Sequence, residues 1–156
     1  MRLVPVLLLI LGASCFAQTA ETYRQQAVVD SRQKSWDQAI TNYRKALELE
    51  PNDALTHYNL ALALKYKGDD HQAVEEFEAA LRLKPKWGDA HYGLGATWYD
   101  LNDQPAALKE LRIALGLTPA NAAAHRMLAR IYLEQKDPSD AKTELQQALA
   151  SKPSAE

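Results

Sequence analysis

Cysteine occurs once among the 156 residues, at Cys15, so no disulfide can form within the chain. A chain cut beyond that point would hold no thiol nucleophile either. Glycine is scarce, with six residues, and none builds a glycine-rich phosphate loop or a G-x-S-x-G elbow. H-E-x-x-H is missing as well. No catalytic residue and no cofactor is therefore expected, and an enzyme is the least favoured class. β-Branched residues thin out after residue 20, and leucine and alanine dominate the remainder. That composition favours helix almost throughout, and no strand is expected. Neither sign of charge prevails: 18 Lys and Arg against 20 Asp and Glu leave a formal −2, without a block of like charge. The electrostatic basis for holding nucleic acid or an anionic membrane surface is absent. What is present, 47% apolar and 24% charged residues, is ordinary for a globular chain of one-domain length.

Residues 1–17, MRLVPVLLLILGASCFA, differ from everything after them. One basic residue precedes an apolar run from Leu3 to Leu11, and small residues then lead to Gln18, which is the pattern of a secretory signal peptide. Cleavage after Ala17 would leave a mature chain of residues 18–156, exported to the periplasm or secreted. The apolar run falls short of the roughly 20 residues that cross a bilayer, which disfavours a membrane anchor. Cys15 after LGAS also resembles a lipoprotein signal, although Gly12 and Ser14 stand where that signal usually has leucine and a Gly or Ala. Lipidation at Cys15 stays open as the alternative, and with it attachment to the membrane.

The rest of the chain repeats. ALELEPND at 46–53 returns as ALRLKPKW at 80–87, ALGLTPAN at 114–121 and, in worn form, ALASKPSA at 148–155. Pro51, Pro85, Pro119 and Pro153 are spaced by 34 residues, a period that marks a repeat architecture. Four units follow: 20–53, 54–87, 88–121 and 122–155. Small residues recur at fixed places, as Ala27, Ala61, Gly95 and Ala129, as Ala39, Ala73, Ala107 and Ala141, and as Ala46, Ala80, Ala114 and Ala148. Such places let two helices of a hairpin approach closely. Tyr43, Phe77, Leu111 and Leu145 lie between them and are expected to fill the wedge. Gly68 supplies a helix stop, Asp69 and Asp70 are expected to cap the following helix, and each closing proline ends the second helix.

This period and these positions resemble the tetratricopeptide repeat family, with nearly the whole mature chain covered. The resemblance implies an all-α solenoid, a right-handed superhelix of four antiparallel helix pairs, whose concave face binds peptides or protein segments. Gln26 and Asp30 replace large apolar residues of the later units, while Lys142 and Ser151 replace apolar residues of the earlier ones. Polar end faces are what a solenoid's terminal units need, so the array is expected to close at four repeats with its last helix as a cap.

Candidate sites follow from that register. The first-helix positions that line the family's groove hold Arg24, Val28, Arg32, Tyr58, Asn59, Leu62, Lys65, Tyr66, Tyr92, Tyr99, Arg126, Met127 and Arg130. Tyrosine combines a large apolar ring, a polar tip and few rotamers, which suits recognition. Arg126 and Arg130 are expected to set a charge preference, unless Arg130 only pairs with Glu134 one turn on. Some family members clamp a terminal carboxylate with Lys and Asn side chains. Only Asn59 and, loosely, Arg24 match that clamp, while Val28, Asp89 and Gly93 fill its other places. His57, His91 and His125 recur in register, but the equivalent first helices of neighbouring units stand at least about 8–10 Å apart with parallel side chains, whereas zinc ligands converge at about 2 Å. No metal site is expected there, and the histidines are read as half-buried packing. Glu75 and Glu76 are read as solvated, salt-bridged surface. The functional expectation is a noncatalytic, monomeric interaction module of the bacterial cell envelope that binds a segment of another envelope protein. The alternative is a structural protein that associates with itself.

Overall fold

The computed structural model describes residues 19–151, which form eight α-helices and, among these residues, no strand. The segment read as a signal, with Cys15 and Gln18, lies outside them, as does Pro153. The helices are α1 (Ala20–Arg32), α2 (Trp36–Leu49), α3 (Ala54–Lys67), α4 (Asp70–Leu83), α5 (Gly88–Asp100), α6 (Gln104–Leu117), α7 (Ala122–Glu134) and α8 (Pro138–Ala150). First helices begin 34 residues apart, at Ala20, Ala54, Gly88 and Ala122, and pack as hairpins with the helices that follow them. The result is the all-α solenoid expected from the repeats.

Helix starts are set by side chains that accept the orphan N–H groups of the first turn. Thr19 caps α1, Asp53 caps α3, Asp103 caps α6, Asn121 caps α7 and Asp137 caps α8. Asp69 departs from expectation, since it stands at the cap position of α4 without capping it. Its carboxylate pairs instead with Lys67 at 3.1 Å. Within every hairpin the chain turns through one left-handed residue: Lys34 (φ 58°), Gly68 (φ 94°), Asn102 (φ 61°) and Lys136 (φ 60°). The next N–H then reaches back to close the turn, as Asp69 N–H does to the Leu64 carbonyl at 2.9 Å. The residues before the prolines, Glu50, Lys84 and Thr118, are extended at φ near −135° and ψ near 80°. Proline imposes that conformation on its predecessor and so ends each second helix.

The core follows the small residues. Ala27, Ala39, Ala46, Ala61, Ala73, Ala80, Ala107 and Ala114 are fully buried at the hairpin contacts. Tyr43, Phe77 and Leu111 fill the wedges, and burial pushes the Tyr43 phenol up from its ordinary pKa. Phe77 sits directly under α5, where a Cβ on Gly93 would come within 2.6 Å of its ring. Leu145, the fourth of this series, is 42% exposed because no further described helix covers it. The last helix is therefore a partial cap: Lys142 is exposed, but so are Leu145 and Leu149. At the other end the polar replacements form a closed set. Asp30, although buried, accepts from Gln26 Nε2 and Asn42 Nδ2, both at 2.8 Å.

Candidate functional site

Helix α3 presents Tyr58, Asn59, Leu62, Lys65 and Tyr66 along the side that faces α1 and α5, and a cavity opens on each flank. The first, about 290 Å³, lies toward α1 and is walled by Val28, Arg32, Trp36, Tyr43, Asn59, Leu62 and Tyr66. The second, about 300 Å³, lies toward α5 and is walled by Tyr58, Leu62, Lys65, Tyr66, Asp89, Tyr92 and Gly93. Leu62 and Tyr66 belong to both and form the ridge between them. A third and wider recess continues along α1 past Arg24.

The aromatic rings are held by other rings. Tyr66, 66% exposed, stacks on Trp36 with centroids 5.1 Å apart and planes 17° from parallel. Tyr58 leans on Trp87 at 4.5 Å and meets Phe77 edge-on at 5.8 Å. Burial is the main influence that raises the Tyr58 pKa, with the charge of Asp89 adding to it. Both tryptophans escaped the sequence reading because they stand outside the first helices, Trp36 at the start of α2 and Trp87 in the loop before α5. The available signal was an aromatic residue at the start of a helix, which the groove register does not count.

Not every expected groove residue joins this site. Tyr99 is absent from the walls of both cavities. Its hydroxyl donates to Glu134, which raises its pKa, and the Arg130 guanidinium lies 5.0 Å from the ring centre. Arg130 also reaches Glu134 at 3.5 Å, so Tyr99 and Arg130 form a closed cluster with α7. Arg24 is held by three carboxylates, Glu50 at 2.6 Å, Glu21 at 2.9 Å and Asp53 at 3.3 Å. Lys65 pairs with Asp100. Met127 is half-buried against the core formed by Ala107, Leu111, Ala124, Leu128 and Ile131, on which Tyr92 and Tyr99 also pack, and Arg126 is exposed on α7.

The three histidines hold a different and regular structure. His57, His91 and His125 bring Nδ1 within 2.6–2.7 Å of Glu76, Glu110 and Glu144, and Nε2 within 3.0 Å of the carbonyls of Pro51, Pro85 and Pro119. Each ring thus ties a first helix to its second helix and to the preceding proline turn. Glu76 is consequently half-buried against His57 and is no part of the solvated face, on which Glu75 does lie. Among the described residues no group of His, Cys, Asp and Glu is arranged to hold a metal ion. None of the described helices is long and apolar enough to cross a membrane.

Family profiles described as "TPR repeat" and "Tetratricopeptide repeat" match residues 32–68, 58–122 and 103–156. No curated protein matches the chain in sequence. Among solved structures, a crystal structure of MamA superposes with a TM-score of 0.81 at 19% identity, over 85% of this chain and 77% of that one. The APC/C hetero-tetramer Cut9–Hcn1 gives 0.79 at 26% identity, over 88% of this chain and 28% of that one. The first repeat domain of Spaghetti (RPAP3), bound to the HSP90 peptide SRMEEVD, gives 0.73 at 24% identity, over 76% and 94%.

Proposed function

Because the chain belongs to the tetratricopeptide repeat family, we propose that it is a noncatalytic interaction module that holds a segment of a partner protein across α1, α3 and α5. The observation that carries this reading is the pair of cavities on the flanks of α3, walled by Tyr58, Tyr66, Tyr92 and Trp36 and divided by Leu62. Rings already fixed by stacking lose little entropy when a ligand packs on them. The Spaghetti domain is an example of this architecture with a peptide in place. The segment bound here differs in chemistry from a terminal carboxylate: Arg24 is neutralised by its three carboxylates, and Asp89 would repel a second anion.

The protein works in the bacterial cell envelope on this reading, with a segment of another envelope protein as its partner. Residues 1–17 support export, and Cys15 offers lipid anchoring as the alternative route. Intact mass of the processed protein distinguishes them, with the start at Gln18 and no lipid expected and a diacylated start at Cys15 contradicting it. Self-association is a second reading, favoured by the exposed Leu133, Leu145 and Leu149 at the α7–α8 end. Light scattering should return the monomer mass.

The binding reading is tested by pull-down from envelope extract. Tyr66→Ala and Tyr92→Ala should each weaken capture by about thirtyfold, the equivalent of about 2 kcal/mol for an interfacial anchor. Glu75→Ala, on the opposite face, should leave it unchanged. Equal capture by all variants would sink the groove assignment.

A further inference from the structure

Charge completes the two cavities in a way their aromatic walls do not reveal. Two charged side chains line the second cavity, and one of them, Lys65, is already spent on Asp100. Asp89 has no ion pair and no hydrogen bond among the described residues. The first cavity has a single charged lining residue, Arg32, which is exposed and equally without a partner. Each apolar cavity is therefore edged by one charge without an ion-pair partner, Arg32 at the C-terminal end of α1 and Asp89 at the N-terminal end of α5.

We propose that the bound segment carries two apolar side chains, one for each cavity, with an acidic residue next to the first and a basic residue next to the second. The inference rests on the binding reading above and adds the partner's chemistry. The two cavities lie on opposite flanks of α3, and a helix with its side chains is about 10 Å across. A left-handed extended chain rises about 3.1 Å per residue and returns to the same face every third residue, which gives about 9 Å. The two apolar residues accordingly stand three apart, with two residues between them that arch over Leu62 and Tyr66. An opposite arrangement of charge, basic beside Arg32 and acidic beside Asp89, sets like charges together at both ends and is rejected.

The experiment is selection of a displayed random dodecapeptide library on the full chain, followed by titration of the most enriched peptide by fluorescence anisotropy. The enriched sequences should share two apolar residues three apart, flanked by an acid on one side and a base on the other. Arg32→Glu and Asp89→Lys, both exposed substitutions, should each lower affinity about tenfold. The double variant should prefer a peptide with the two flanking charges exchanged. Peptides lost with Tyr92→Ala yet indifferent to both charge swaps would overturn this inference and leave groove binding standing. A spacing of seven would do the same to the extended conformation, since it is the helical repeat at about 10.5 Å. If nothing is enriched, or the enriched peptides ignore Tyr92→Ala, both the inference and the binding reading fall.

Discussion

Lys34, Gly68, Asn102 and Lys136 occupy the same left-handed turn in successive hairpins, and the backbone cost differs among them. Glycine takes this conformation freely and asparagine tolerates it, whereas a lysine pays roughly 1–2 kcal/mol for its Cβ. A Cβ at Gly68 would meet nothing within 4 Å, so the loss on Gly68→Ala is purely conformational. It should be about 1 kcal/mol, or about 2–4 °C in Tm for a chain of this size. Lys136→Gly should raise Tm by a comparable amount, read by circular dichroism melts. No change in either variant would show that the turn relaxes without cost. Gly68 was legible as a helix stop from its sequence alone. Lys34 and Lys136 were not, because the hairpin imposes their φ against local preference.

The helix pair is the unit in which the histidines make sense. His91 and Glu110 are the most enclosed of the three couples, with side chains 12% and 11% exposed. His91→Leu would leave the enclosed Glu110 carboxylate with only the exposed Lys109 at 3.6 Å, at a cost of about 1–3 kcal/mol for a buried group that loses its hydrogen bond. Replacing both partners by apolar groups removes the stranded charge. His91→Leu with Glu110→Leu should therefore regain most of the loss in urea denaturation, and a double variant no better than the single would disprove the coupling. The hairpins, the proline stops after α2, α4 and α6, and the wedge residues Tyr43, Phe77 and Leu111 were readable from a 34-residue period. The clasp was not, since Glu76, Glu110 and Glu144 look like any charged helix face until the second helix is folded back. Trp36 and Trp87 were missed for a related reason, as they enter the site from the turns.

At the scale of the whole molecule, three surfaces compete for a partner. The α1 end carries a recess of about 480 Å³ with the polar Thr22, Gln25, Gln26, Asn42 and Lys45 in its wall, the α7–α8 end exposes Leu133, Leu145 and Leu149, and the side of α3 offers ringed cavities. Period and register indicated the last of these, and placed Tyr58, Tyr66 and Tyr92 together. They also drew in Tyr99, which pairing with Glu134 holds elsewhere. The choice between the groove and the end is open to direct test, because Tyr66 and Leu149 are both 66% exposed and stand on the two rival surfaces. Hydroxyl-radical footprinting, with and without the captured partner, compares each residue with itself. Binding across α1, α3 and α5 predicts that oxidation of Tyr66 falls severalfold while that of Leu149 is unchanged. Protection of Leu149 with Tyr66 still fully reactive would contradict it and put the partner on the end of the array.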